Sequence, residues 1–472
     1  MKKYSSPQVA RAALVTVLVA AAAATAGLIN PREAFVRDAV PTLAGLTSAA
    51  GAEARVEMRH LADIAAMKQF RPGYPFWEHV FRIPDGSIVF GSAEDGRRLA
   101  VVRSTRTTDR EAIARRLEAQ AGPVLHNETR GTFASPGLAQ YGALFAEWGS
   151  IYERFGVPRD IGLAQALLES GFIGTRRSEA DAVGLCQFLE SNWKLIDRLD
   201  PSVLEIANQT TQAAYCAAYL TILATKYDSF IPALSDHHAG GTNVGRVLVN
   251  GERLGGRHPR DQYFLGSDLA VGLRMVGAGD YSDIYKSYGP RSYRYAEMVF
   301  GNAKRIEDTI AATPQGQIYA MRTARAVPLR EIARRTGLLS EAIRRYNPAL
   351  VRKVPAGATL YLPRYDASFG TDVSFWHRAA APAFAALRDE FLSVEVSPQA
   401  WETPRFAAKL RAFETRFRDT GTEEGIVMAT VLSYVRRDAA GPRASILATF
   451  RNSEKIQDLF AQGVDAMESA AE

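Results

Sequence analysis

The sequence predicts a multidomain, mainly helical protein that carries one small α+β module in strand, helix, helix, strand order and ends in a helical C-terminal region. Three observations predict this. At 472 residues the chain exceeds the roughly 250–300 at which a single hydrophobic core stops growing. Hydrophobic residues make up 47% and charged residues 23%, which is enough apolar surface to build cores and too little charge for a mainly disordered chain. Apolar residues recur at helical spacing over most of the chain after residue 137, whereas alternating strand-like runs are few and short.

In chain order, residues 1–30 read as an export signal or a membrane anchor. Lys2, Lys3 and Arg11 precede the uncharged stretch Ala12 to Asn30, whose length just reaches the roughly 20 helical residues of a bilayer core. Ala24-Thr25-Ala26 offers a small-residue cleavage site, so cleaved and anchored forms both stay open. The basic flank places this end in the cytoplasm and the remainder outside it.

Residues 31–136 form a mixed α/β region to which no activity is assigned. A helical start runs through Leu61 and Met67, and strands follow at Phe81 to Ile83 and Ser87 to Phe90 around a Pro84-Asp85-Gly86 turn. A further strand lies at Ala100 to Val102, and helical spacing returns from Asp109 to Ala119.

Nearly every segment of residues 137–308 reads as helix, broken by Gly-containing loops at Gly171, Gly240-Gly241, Gly255-Gly256 and Gly289-Pro290. Residues 317–363 form the small module, with strands at Ile318 to Met321 and Thr359 to Leu362. From 364 to 472 amphipathic helices present Phe384, Leu387, Phe391, Phe406, Leu410, Phe413, Val427, Val431, Leu432 and Leu459 as core.

The formal charge of +6 suits an anionic polymer or surface, but the excess reads as thinly spread. No basic stripe interleaved with aromatics is present, which argues against nucleic acid as a partner. Cys186 and Cys216 are too few for a disulfide framework and lack zinc or redox spacing. Two buried thiols are the default reading, and a bridge requires an oxidising compartment.

One segment points to chemistry. Asp160 can cap a helix with Leu163, Leu167 and Leu168 on its apolar face and Gly171 at its end, which places Glu169 in the last turn. The negative end of the helix dipole and the apolar neighbours there should raise the pKa of Glu169 toward a proton-donating form, as glycosidic cleavage requires.

Glu169-Ser170-Gly171-Phe172, followed by Ser178, Ala180, Ala182 and Gly184-Leu185-Cys186-Gln187, resembles the goose-lysozyme-like lytic transglycosylase family. Two further elements occur in the order of that family. His237-His238-Ala239-Gly240 stands where Tyr-Asn-Ala-Gly is usual, and Tyr293 to Val299 stands where a Tyr-Val segment closes the site. The resemblance implies a lysozyme-like catalytic domain over 137–308.

It also implies cleavage of the MurNAc-GlcNAc β-1,4 bond to 1,6-anhydro ends, with Glu169 as acid and then base. Ser170 would hold the glutamate, Gln187 would bond an acetamido group, His238 would contact sugar and Tyr295 would orient Glu169. No cofactor and no metal are implied, since adjacent histidines point apart and no third ligand is evident. Glu179 and Asp181, the latter at a position usually held by glycine, read as loop charges. Phe172 and Phe188 pack or wall the groove, and Trp193 reads as core.

The 317–363 unit resembles LysM modules at Tyr319, Leu329, Ile332, Ala333, Asn347-Pro348, Gly357 and Leu360 to Pro363, with Ala324-Arg325-Ala326 in place of the usual Gly-Asp-Thr. A LysM-shaped spacer is the alternative there. The order of the two units is similar to that of the membrane-bound lytic murein transglycosylase D type. Together these imply a periplasmic protein, held in the inner membrane if the N-terminal segment is uncut, acting on peptidoglycan and placed in a larger envelope assembly. A hydrolytic muramidase and a non-catalytic peptidoglycan-binding scaffold stay open as alternatives.

Overall fold

The structure is a computed structural model that describes residues 49–71, 87–92, 98–103, 124–125, 134–201, 204–275, 284–285, 288, 292, 294–373, 380–394, 401, 403–438 and 443–471. The N-terminal segment, the expected Phe81 to Ile83 strand, its turn, the Asp109 to Ala119 helix and Gly289-Pro290 lie outside the described residues. Among the described residues no helix is long and apolar enough to cross a membrane.

The protein is mainly helical. After α1 (Ala49–Phe70) comes an antiparallel hairpin of β1 (Ser87–Ser92) and β2 (Arg98–Arg103), with Ile88 opposite Val102, and β3 (Val124–Leu125) pairs with the other edge of β1. The partner of the Ser87 strand is therefore the Ala100 to Val102 run.

Next come α2 (Ala134–Tyr141), α3 (Phe145–Phe155), α4 (Arg159–Ser170), the two-residue pair β4 (Ala182–Val183) and β5 (Phe188–Leu189), and α5 (Glu190–Leu199). They are followed by α6 (Gln209–Tyr227), α7 (Phe230–Ala239), α8 (Gly241–Arg253), α9 (Pro259–Met275) and α10 (Tyr295–Ala312). The β4–β5 pair follows the break at Gly171, in a stretch where the sequence reading has no strand.

Almost every side chain of α6 is buried, including Ala213, Ala214, Ala217, Leu220 and Leu223. A helix buried all round belongs in a core, and α6 runs through this one, packed by α3 and α7, with buried Gln and Thr side chains hydrogen-bonded to neighbouring segments.

In the small module, β6 (Tyr319–Thr323) and β9 (Thr359–Leu362) pair antiparallel, Tyr319 opposite Leu362, around α11 (Leu329–Thr336) and α12 (Ser340–Tyr346). The expected strand, helix, helix, strand order is present. Two short strands, β7 (Val327–Pro328) and β8 (Lys353–Val354), pair beside it, and β10 (Gly370–Val373) joins the other edge of β6. The chain closes with α13 (Pro382–Leu392), α14 (Pro404–Asp419), α15 (Glu423–Asp438), α16 (Arg443–Arg451) and α17 (Glu454–Ala471).

One large core takes buried side chains from Ala66 to Leu459, and all ten apolar residues expected to be core in the C-terminal helices are buried. A smaller core gathers Met321, Leu329, Ile332, Ile343, Leu360 and Phe369. Strand alternation in β6 joins the two, because Ala320 points into the large core and Met321 into the small one. The tie is also polar: Tyr361 Oη lies 2.6 Å from Thr211 Oγ1, and Ala349 N donates to Asn208 Oδ1 at 3.0 Å.

Candidate functional site

The helix carrying Glu169 begins one residue before the expected cap. Pro158 is the N-cap, and Asp160 sits in the first turn with His60 Nε2 at 3.4 Å from its carboxylate. The other end is as expected, for Gly171 adopts φ 61°, which glycine reaches without a Cβ clash. A Cβ at Gly137 would lie only 2.3 Å from the Gly171 carbonyl oxygen, so α2 can lie against this turn because residue 137 is also glycine.

Three side chains from two other helices meet Glu169. Tyr295, the first residue of α10, donates its phenol to Glu169 Oε1. His237 Nε2 and His238 Nδ1, in the last turn of α7, stand 3.8 and 3.9 Å from the same oxygen. The His238 ring stacks on Tyr295 with centroids 4.2 Å apart and planes 7° from parallel. His237 Nε2 lies 2.8 Å from the Cys186 carbonyl. A carbonyl only accepts, so that nitrogen carries a proton.

Burial pushes the Glu169 carboxyl up, but the hydrogen bond from His238, the positive charge of both imidazoles and the Tyr295 phenol outweigh it and hold the group below its ordinary range. The expectation of a raised pKa is corrected here: it counted the helix end and apolar neighbours and omitted the imidazoles that the fold brings from α7. His237 is itself held down, chiefly by burial. Tyr295 is pushed well above its ordinary value by burial and by the charge of Glu169, which keeps its proton available for donation.

The expected Ser170 contact to Glu169 is not made, and Gln187 has its amide N–H groups occupied. The buried Ser170 hydroxyl turns away from Glu169 and donates to Ala166 O at 3.2 Å and Leu185 O at 3.0 Å. Successive helix residues point about 100° apart, so Ser170 stitches the helix end to the following loop instead of holding the carboxylate. Gln187, at φ 51°, spends its amide N–H groups inside the same loop, on Arg176 O at 3.0 Å and Gly184 O at 2.9 Å.

That loop is closed covalently as well. Cys186 and Cys216 form a disulfide with Cα atoms 6.0 Å apart, where the sequence favoured free thiols. Their separation of 30 residues corresponds to about 3–4 kcal/mol of stabilisation in the loop-entropy account. The bridge fixes the residue whose carbonyl holds His237 to the central helix.

Sequence reasoning missed several supports. Gln212 on α6 accepts from Leu185 N at 2.9 Å and donates to Gly174 O at 3.1 Å, holding the loop from below. The buried Glu297, two residues after Tyr295, accepts from Arg71 Nε at 2.9 Å, which ties α10 to the end of α1. The buried Asp63 of α1 accepts from Phe230 N and Ser229 Oγ, both at 2.7 Å, and from Arg260 Nε at 3.0 Å, so it fixes the start of the histidine-bearing helix. A carboxylate within the apolar run Tyr295 to Phe300 was a signal for Glu297, whereas nothing in the sequence marks Gln212.

Asp181 points outward, 74% exposed and 3.2 Å from Arg177, and its φ of 58° explains why glycine suits that position. Phe172 packs on Phe145 and Trp148. Trp193 is buried and donates to Val183 O at 2.8 Å, and Phe188 stands 5.6 Å from the His237 ring.

No protein-family model matches the chain, and no curated protein matches it significantly. What the site can do chemically follows from its residues: one nearly buried carboxylate, with a phenol and two imidazoles on it, can give up and take back a proton against a bound polar group.

Proposed function

We propose that the chain cleaves peptidoglycan glycan strands as a lytic transglycosylase. The observation that carries the reading is the meeting of Glu169 with Tyr295 and the His237-His238 pair, in the order along the chain that the motif resemblance requires. In its protonated form Glu169 gives its proton to the oxygen between MurNAc and GlcNAc. As carboxylate it then takes the proton of the muramic 6-hydroxyl, whose oxygen closes the 1,6-anhydro ring. Tyr295 keeps the reacting oxygen of Glu169 aimed throughout, and Gln187 offers its carbonyl oxygen to an acetamido N–H.

In this reading residues 137–308 are the catalytic unit, 317–363 a LysM-shaped module, and 31–136 and 364–472 flanking regions that place them in an envelope assembly. The Cys186–Cys216 disulfide supports an oxidising, periplasmic location. A hydrolytic muramidase is the second reading. What favours it is His238, whose side chain is 29% exposed beside Glu169 and can take a proton from water.

The test is digestion of purified sacculi by the protein and by Glu169→Gln, with released muropeptides identified by mass spectrometry. We expect anhydro ends, reduced by about 10²–10⁴-fold in the variant. Reducing ends would make this a muramidase, and no release by the folded protein would overturn the enzymatic reading in favour of a scaffold.

A further inference from the structure

The positive charge of the chain is not evenly spread. Between Gln317 and Pro363 lie nine of its 57 lysines and arginines but only two of its 51 acidic residues. That stretch is formally +7 against +6 for the whole chain, so everything else is close to neutral.

The fold gathers part of this charge on one side of the module. Arg330 and Arg334 are exposed at i and i+4 on α11, opposite its buried Leu329 and Ile332. Pairing of β7 with β8 sets Lys353 opposite Pro328, and Leu329 N donates to Arg352 O at 3.0 Å, so Arg352 and Lys353 sit beside the start of that helix.

Among the described residues Arg330, Arg352 and Lys353 have no ion pair, and Arg334 shares the single carboxylate of Glu331 with Arg325 and Arg335. Val351, adjoining Arg352, is 70% exposed, and Leu339, just after the end of α11, is 75% exposed. Unneutralised cations beside bare aliphatic side chains match a surface that is anionic outside and apolar beneath.

We propose that this face of the module, centred on Arg330, Arg334, Arg352 and Lys353, docks on an anionic phospholipid bilayer, with Val351 entering the headgroup layer. Docking there holds the rest of the protein against a membrane surface and does not depend on the reaction assigned to Glu169.

The experiment is sedimentation of the full chain with vesicles of neutral phosphatidylcholine and with vesicles containing about a quarter phosphatidylglycerol, at low and high salt. The chain and the variant Arg330→Glu/Arg334→Glu/Lys353→Glu are compared, with thermal unfolding as a check that the exposed substitutions leave the fold intact. The N-terminal segment, with its basic Lys2, Lys3 and Arg11, is common to the protein and the variant, so its own contribution cancels in the difference between them.

We expect anionic vesicles to bind more than about tenfold better than neutral ones, the preference to fall with salt, and the variant to lose it. Val351→Ser should weaken anionic binding by a smaller factor, about two- to fivefold. Equal binding to both lipids, or an anionic preference undiminished in the triple variant, would overturn the proposal. So would a face that retains nucleic acid or sacculi, sensitive to the triple variant, while ignoring anionic vesicles.

Discussion

Around Glu169 the helical body turns its charges inward and pairs them. Arg71 reaches Glu297 and Asp268, Arg260 reaches Asp63, and the imidazoles of α7 converge on one carboxylate. The strand, helix, helix, strand module does the reverse. Its interior is apolar except for Asn347 and a few hydroxyls, and its guanidinium groups face solvent. The contrast teaches that a charge placed inside fixes geometry, because leaving it unpaired there is expensive, whereas a charge placed outside is free to meet a partner.

Breaking an inward pair should have the largest effect. Glu297→Ala leaves the buried Arg71 with Asp268 as its remaining carboxylate and should cost up to about 3–5 kcal/mol, read as a fall in thermal unfolding temperature, with loss of the Tyr295 contact to Glu169. Retained stability would mean that Asp268 alone satisfies Arg71.

The module offers the matched test on its own side. Asn347 donates to Tyr361 O at 2.6 Å and Ile343 O at 2.9 Å, and accepts from Tyr361 N at 2.8 Å. Asn347→Ala should cost about 2–3 kcal/mol, and hydrogen exchange should rise in β9 and α12 before it rises in α6. Uniform exchange across both regions would instead make them one cooperative unit.

The smallest expected change sharpens the reading of the inward charges. In His237→Asn/His238→Asn two of the groups that hold the Glu169 carboxyl down are gone and only the Tyr295 phenol still opposes burial, so its pKa should rise. Carboxyl NMR titration reads this directly, and the limb of the pH profile that reports loss of the Glu169 proton should move to higher pH with it. No movement would mean that Tyr295 by itself sets the charge of Glu169.

Much of the framework was legible along the chain. The helix ending at Gly171 follows from apolar spacing and a left-handed glycine, the C-terminal core from the spacing of its Phe and Leu residues, and the β6–β9 pair from two short alternating runs. These are local signals, each contained within one or two turns or one strand. Thinly spread charge was a misreading that a count by segment corrects without any structure.

What the sequence determined by itself is therefore most of the helices and the longer strands, which faces are apolar, and that Glu169 ends a helix. The tertiary structure alone decided what surrounds Glu169: the two imidazoles, the phenol from 126 residues away, the disulfide, the inward Ser170 and the closed Gln187. The reason is physical. Secondary structure answers to neighbours a few residues apart, whereas the pKa of a buried carboxyl and the pairing of two cysteines answer to neighbours in space, which packing around α6 brings together.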